Sequence, residues 1–385
     1  MIGLTVPGVA QYNPENGFMD AHFGKPVTFT SRDSTFSLSL GGRIQSLAEA
    51  RYDLRSDAKW VDFSIRRLRL NFAGNALSRK FTYRIQLCFA QRDVFSDNSL
   101  VQNNLFLRDA MLFYTPNRHW KFGFGQTKLP GNRQRQVSSG NLQLVDRSNT
   151  NALFTLDRDK GFWVTYTNRN RKKAVFSTTL AITSGEGRIN SDRTDGLCYS
   201  LRTEVLPFGE FKGNGDFVEA DIQREDKPRL SLALAYSFNN RTSRVAGQLG
   251  EYLYNNQLAN IHYYGGDLAF KYRGWSVFSE WYRRRSPNGI SINATNAKVN
   301  YVFSGTGFLL QSGVFLSPKN EIAARYAFTA PDDRIARYTA RLNEWVVGYS
   351  HYFFRHNLKL QGDLGYYTGR LQEYLQARFT GIVTF

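Results

Sequence analysis

Apolar and polar side chains alternate with a period of two along most of this chain. Such alternation is what a β-strand with one apolar and one polar face requires. Sixteen runs carry it, at 34–52, 61–73, 80–90, 105–115, 120–128, 161–168, 173–183, 196–205, 229–238, 262–272, 275–284, 308–316, 322–328, 343–353, 358–367 and 374–385. No long segment shows the i, i+3, i+4 spacing of an amphipathic helix. The last run is the most regular. Leu375, Ala377, Phe379, Gly381, Val383 and Phe385 share one face, and Gln376, Arg378, Thr380 and Thr384 share the other.

The connections between runs alternate in length. Those at 75–79, 116–119, 169–172, 274, 317–321 and 355–357 are short, whereas those at 91–104, 129–160, 239–261, 284–307 and 329–342 are long. An even strand number with short turns on one side and long loops on the other predicts an all-β fold, a transmembrane antiparallel β-barrel of about 16 strands. The connection 206–228 breaks the rule, being long on the short side. The domain reading is a single barrel over 34–385, with 129–160 as one of its long loops. Residues 1–33 form an N-terminal extension that serves as a plug or a periplasmic segment. An alternating strand that closes on an aromatic makes Phe385 the expected assembly signal.

Composition sharpens this picture. Mean hydropathy is −0.44, and no run of about 18 apolar residues exists to span a membrane as a helix. Aromatic residues make up 15% of the chain, in keeping with the aromatic girdles of a barrel. Net charge is +18, which points to anionic partners. The cations recur singly between apolar residues rather than in a tail, as a lumen lining would place them. Cys88 and Cys198 are the two cysteines, on separate strands, and are expected to be inert thiols. No cysteine or histidine cluster has metal-site spacing, so neither metal nor cofactor is expected. The five histidines lie in no GxSxG or HExxH context, and nothing else marks a catalytic site. No recognition helix or finger marks nucleic-acid binding.

Strand parity assigns the charges. Phe36, Leu38, Leu40 and Ile44 face lipid, so Arg43 points inward, and likewise Leu68, Leu70 and Phe72 leave Arg67 and Arg69 inward. The same parity turns Arg84, Arg202, Lys271, Arg273, Arg325, Lys359 and Arg378 to the lumen. An arginine on the lipid face at midplane costs about 2–4 kcal/mol, which is why inward placement is preferred. Loop 129–160 adds Arg133, Arg135, Arg147, Arg158 and Lys160 as constriction candidates, with Asp146, Asp157 and Asp159 nearby to anchor them. Inward acids are Asp109, Glu204, Asp267, Glu280 and Asp363, fewer than the bases. The expected lumen is therefore net positive and attracts anions.

Several stretches resemble the phosphate-selective porin O and P family. They are FSIRRLRLNFAG (63–74), FTYRIQLCFA (81–90), LRDAMLFYTPNRHWKFGFGQTKLPGN (107–132), QVSSGNLQLVDRS (136–148), LDRDKGFWV (156–164), GFLLQSGVFLSPKNEIAARYAF (307–328) and NEWVVGYSHYFFRHNLKLQGDLGYY (343–367). The resemblance implies a sixteen-stranded porin in the outer membrane of a Gram-negative bacterium, with its third external loop in the pore and phosphate or polyphosphate as solute. Implied partners are anionic solutes, outer-membrane lipid and lipopolysaccharide, with a homotrimer or a larger complex as the assembly. The alternative is an accessory barrel subunit of a larger outer-membrane complex, its lumen plugged.

Overall fold

The computed structural model describes residues 18–90, 106–168, 174–188 and 196–385. Sixteen strands close into one antiparallel barrel. They are β3 (Ser37–Asp53), β4 (Lys59–Ala76), β5 (Ser78–Cys88), β6 (Leu107–Tyr114), β7 (Trp120–Lys128), β8 (Arg158–Asn168), β9 (Val175–Thr183), β10 (Cys198–Leu206), β11 (Arg229–Thr242), β12 (Ala259–Tyr272) and β13 (Trp275–Arg285), followed by β16 (Gly305–Phe315), β17 (Asn320–Pro331), β18 (Leu342–Phe354), β19 (Leu358–Gly369) and β20 (Glu373–Thr384). A hairpin of β1 (Phe18–Asp20) and β2 (Val27–Thr30) adds to the same sheet by pairing β2 with the first residues of β3. Residues 18–30 thus extend the wall at the end that carries the C-terminus, while residues 1–17 lie outside the described residues. A second hairpin, β14 (Ile290–Ile292) and β15 (Val299–Tyr301), sits within the connection expected as a plain loop.

Closure comes from β20 pairing with β3, from Tyr374 opposite Asp53 to Thr384 opposite Arg43. The last rung is reciprocal: Gly42 N donates to Phe385 O (2.6 Å) and Phe385 N donates to Gly42 O (3.0 Å). The Phe385 ring lies over Gly42 so closely that a Cβ there would stand 2.6 Å from the ring. Glycine at 42 is what lets the terminal aromatic seal the barrel.

Burial is inverted relative to a water-soluble domain. Phe63, Leu234 and Leu364 are 79%, 72% and 68% exposed, whereas Arg67, Arg202 and Arg325 are 3%, 6% and 3% exposed. An apolar outer wall around a charged interior is the arrangement a bilayer imposes on a barrel. No described helix is long and apolar enough to cross a membrane.

Two of the register shifts between described strands each add an arginine to the inner face. Register between β3 and β4 shifts between Gln45 and Ser46, leaving Arg66 as the extra residue. Another shift, between Gln86 and Leu87, leaves Arg108 as the extra residue of β6. A bulge puts two consecutive residues on one side of a strand, so Arg66 joins Arg67, and Arg108 joins Asp109, on the inner face.

Short turns occupy the terminal end. The β12–β13 turn is Arg273–Gly274, with φ of 49° and 87°. Positive φ at both central residues is what a tight two-residue hairpin demands. The short connection at 169–172 falls outside the described residues. The long exception, 207–228, does not hang from the barrel but folds up into it. Lys271 Nζ on β12 donates to Ala220 O (2.7 Å), and Glu219 N donates to Asn141 O (3.0 Å) of the inserted loop.

Candidate functional site

The loop between β7 and β8 crosses the lumen and fastens to the opposite wall. It contains two short helices, α1 (Arg133–Gln136) and α2 (Asn149–Phe154), the second capped by Ser148 Oγ accepting from Asn151 N (3.0 Å). Wall carboxylates accept from its backbone: Glu344 from Asn149 N (2.7 Å) and Asp363 from Val145 N (3.0 Å). Phe154 stacks on Tyr282 of β13 with ring centroids 5.4 Å apart. Gln143 Nε2 donates to Ser276 Oγ (2.7 Å) and Glu321 Oε1 (2.6 Å). The loop and the turn 207–228 together fill the half of the lumen bounded by β10–β19.

Several expected anion-lining cations belong to this anchoring rather than to an open path. Arg133 is 1% exposed and pairs with Glu204 and with Asp267 (Nε to Oδ1, 2.8 Å), so it pins the loop instead of facing a pore. Arg202 forks onto Asp267 and donates to Gly131 O (2.8 Å) while still bordering the lower cavity. Arg325 pairs with Glu344 (2.7 Å), and Lys359 donates to Leu142 O (2.7 Å). Lys271 holds the turn through Ala220. Arg378 pairs with Asp363 (2.7 Å) while still bordering the upper cavity. These cations sit inward, but carboxylates of the wall strands and carbonyl groups of the inserted segments accept from them. Arg273 lies elsewhere: it is exposed in the β12–β13 turn, its guanidinium 5.1 Å from the Tyr272 ring centre, because the turn's left-handed backbone ends strand parity. Arg158 and Lys160 fall on β8 rather than in the loop. Cys88 and Cys198 are both buried, on β5 and β10, and not joined to each other.

What remains open lies between the inserted segments and the wall that runs from the edge of β19 and β20 through β3 to β10. A cavity of about 580 Å³ occupies its terminal-end half and one of about 340 Å³ its loop-end half. The first is lined by eight cationic side chains and two carboxylates, the second by seven and two. Four arginines border both cavities: Arg69 from β4, Arg108 from the β6 bulge, and Arg135 and Arg147 from the loop. They form a waist between the two chambers. Arg84 borders the lower chamber, half exposed and 3.7 Å from Asp109, which Arg158 also binds (2.9 Å).

The waist is held by a small set of contacts. Arg147 donates from Nε to Gln134 O and from Nη2 to Val137 O, both at 2.7 Å, so its own loop fixes it. Arg135 pairs with Asp157. Arg43 donates to Ser138 Oγ (3.1 Å) and Ser139 Oγ (2.8 Å), and Arg69 to Ser139 Oγ (3.4 Å). Gly140 permits that approach, since a Cβ there would stand 2.3 Å from Arg43 Nη1. Asp146 accepts from Arg66 (2.7 Å) and Arg67 (3.1 Å) and ties the loop to β4. Burial alone would raise the Asp146 carboxyl; Arg66, Arg67 and Arg147 outweigh it and hold the group well below the usual carboxylate range. Guanidiniums fixed in this way present several donors toward a passing anion.

Parity did not disclose Arg66 or Arg108, the two bulge residues. A signal for the first was present: apolar outward positions are odd through Ile65 and even from Leu68, so a register change had to fall between them.

A family model of the phosphate-selective porins O and P matches residues 39–374. No curated protein matches the chain. Among solved structures, the anion-selective porin from Comamonas acidovorans superposes with a TM-score of 0.57 at 10% identity, covering 91% of this chain and 100% of that one. The outer membrane channel DcaP of Acinetobacter baumannii gives 0.55 at 12% identity, over 93% and 99%. OmpF of Salmonella typhi, in a complex with daunomycin, gives 0.56 at 12% identity, over 91% and 98%. At these identities the similarity is one of fold.

Proposed function

We propose that this chain, which belongs to the phosphate-selective porin O and P family, is an anion-preferring diffusion channel of a Gram-negative outer membrane, with phosphate-like anions as its favoured solutes. The observation that carries the reading is the shared lining of the two chambers by Arg69, Arg108, Arg135 and Arg147. An ion that moves from one chamber to the other passes these four guanidiniums. A water-filled path with low-dielectric walls and excess positive charge raises the local anion concentration and repels cations. Rings of arginine select anions in pores, and selection stays compatible with flow when each site binds weakly. Two chambers in series supply two such sites. The C-terminus and the start of β3 lie on the short-turn end, which supports a periplasmic position for that end and long loops outside. The chain works as a passive channel, without a catalytic step.

A planar-bilayer recording tests this reading. In a KCl gradient the reversal potential is expected on the chloride side, with current blocked by low concentrations of phosphate. A cation-side reversal potential would refute anion preference. Silence from a correctly folded barrel would favour an accessory subunit with its lumen closed by loop 129–157 and turn 207–228.

A further inference from the structure

The outer face of β13 ends in cations rather than apolar residues. Ser276, Phe278, Glu280, Tyr282 and Arg284 are buried toward the lumen, while Trp275, Trp281 and Arg285 are exposed. Alternation therefore places Arg283 and Arg285 on the outer wall, two and four residues beyond Trp281. Next to Arg283 on β12 stands Tyr264, and opposite Tyr264 on β11 stands Tyr236, both partly exposed. Aromatic rings collar a barrel at the boundary between hydrocarbon and headgroups. The two guanidiniums lie at or beyond that collar, on the loop side, at headgroup level.

Behind them is a cavity of about 230 Å³ between the end of β13, the 286–304 connection and the 332–341 connection. Arg283, Arg285 and Arg334 line it with a single carboxylate, Asp332. Asp332 is already used, gripped by both Arg283 terminal nitrogens at 2.6 and 3.0 Å. Arg334 is exposed and spends one nitrogen on Pro287 O (2.6 Å), and Arg285 is exposed with no acceptor among the described residues. Ser286, 7% exposed, lines the same cavity with a hydroxyl that has no partner. The site thus offers the Arg285 guanidinium, the remaining nitrogens of Arg334 and a buried hydroxyl to a tetrahedral anion. A phosphate monoester accepts from all three.

We propose that this cavity holds a phosphate of an outer-leaflet glycolipid headgroup. The inference rests on the outer-membrane reading above, which puts this rim in the outer leaflet. A lipid source rather than a dissolved one follows from the lining, since Arg283 and Arg285 stand on the outer-face parity of β13 beside Trp281, and Arg285 and Arg334 are exposed.

The test uses the full chain folded into phosphatidylcholine nanodiscs, with lipid binding read by native mass spectrometry. Probes are bisphosphorylated lipid A, the same lipid dephosphorylated, and inorganic phosphate. Bisphosphorylated lipid A is expected to bind roughly 10- to 30-fold tighter than the dephosphorylated form, the effect of two arginines at a charged surface. The double variant R285Q/R334Q is expected to lose that preference, and if it yields no folded barrel, R334Q alone carries the comparison. Equal binding of the two lipids by the unaltered chain would overturn the proposal, as would an undiminished preference in the variant. If inorganic phosphate displaces the lipid at millimolar concentration, the site is one for free phosphate and the headgroup assignment falls. Reversal potentials on the same samples keep the two readings apart. A channel without anion preference that still discriminates the lipids would sink the porin reading and leave this site standing.

Discussion

Replacing Arg69 by Gln removes one charge from the waist while keeping a polar stem beside Ser139. A 340 Å³ chamber has the volume of a sphere about 4.3 Å in radius, so an ion at its centre lies roughly 6 Å from a guanidinium in the wall. At that distance a unit charge contributes about 0.7 kcal/mol in bulk-like water, and screening at 0.1 M salt lowers it to about 0.4. Loss of the charge weakens the anion's attraction and relieves the cation's repulsion by the same amount, so the permeability ratio moves by about 0.8 kcal/mol, close to fourfold. Any lowering of the dielectric constant inside the barrel enlarges the effect, making fourfold a lower estimate. The assay is the reversal potential in a tenfold KCl gradient, with the exposed turn variant R273Q as reference. R273Q removes the same formal charge from the chain but sits outside the path, and is expected to leave the ratio unchanged. Equal shifts in the two variants would mean that net charge rather than the waist sets selectivity, and the argument would fail.

Charge reversal of Arg84 or Arg67 should lower anion selectivity more than reversal of Arg171 or Lys172, at a turn outside the described residues; equal effects in the same recording would undo the lumen assignment. Replacing residues 210–226 by a short Gly-Ser linker should raise single-channel conductance, because the turn packs beneath the inserted loop through Glu219 and is held to β12 through Ala220. Unchanged conductance would show that the turn does not limit flow. Asp146→Asn leaves Arg66 and Arg67 without their shared carboxylate and should cost about 1–3 kcal/mol of loop anchoring, seen as noisier channels and a lower melting temperature. The same carboxylate governs acid behaviour. Its folded-state pKa is depressed, so its contribution is present above the ordinary carboxylate pKa of about 3.9 and is lost only as pH falls through the lower folded value. Quiet, anion-preferring channels should therefore persist at pH about 4, and loss of selectivity at pH 5 would contradict the pairing. Deleting Phe385, or substituting Gly42→Val against its ring, should reduce the folded fraction in membranes, and normal assembly of both would remove the terminal-seal argument.

Strand parity worked wherever the sheet alternates without interruption, for a physical reason. A barrel wall has lipid on one side and water or packed polar groups on the other, so each residue faces a choice worth several kcal/mol and the sequence must record it. The inward direction of Arg43, Arg69, Arg84 and Arg202 was legible on that basis. Arg273 was misplaced because it is a turn residue, where a positive φ dissolves the two-fold repeat. Arg66 and Arg108 were missed because a bulge adds one residue and reverses parity from there on.

Whether an inward cation lines a path or fastens a loop depends on a partner that strand parity cannot name. Arg133 and Arg69 illustrate this. Both are buried arginines on the inner side, yet one meets Glu204 and Asp267 from β10 and β12, and the other borders both chambers beside Ser139. The distinction lies in where carboxylates fall on the far wall. Acids bordering the filled half, at Glu204, Asp267, Glu280, Glu321, Glu344 and Asp363, meet the loop or its anchors. In the open half the cations of the waist outnumber the acids, because Asp146 and Asp157 are each shared between arginines. The asymmetry of acids between the two halves, rather than the total charge of +18, is what leaves a positive path beside a neutralised plug.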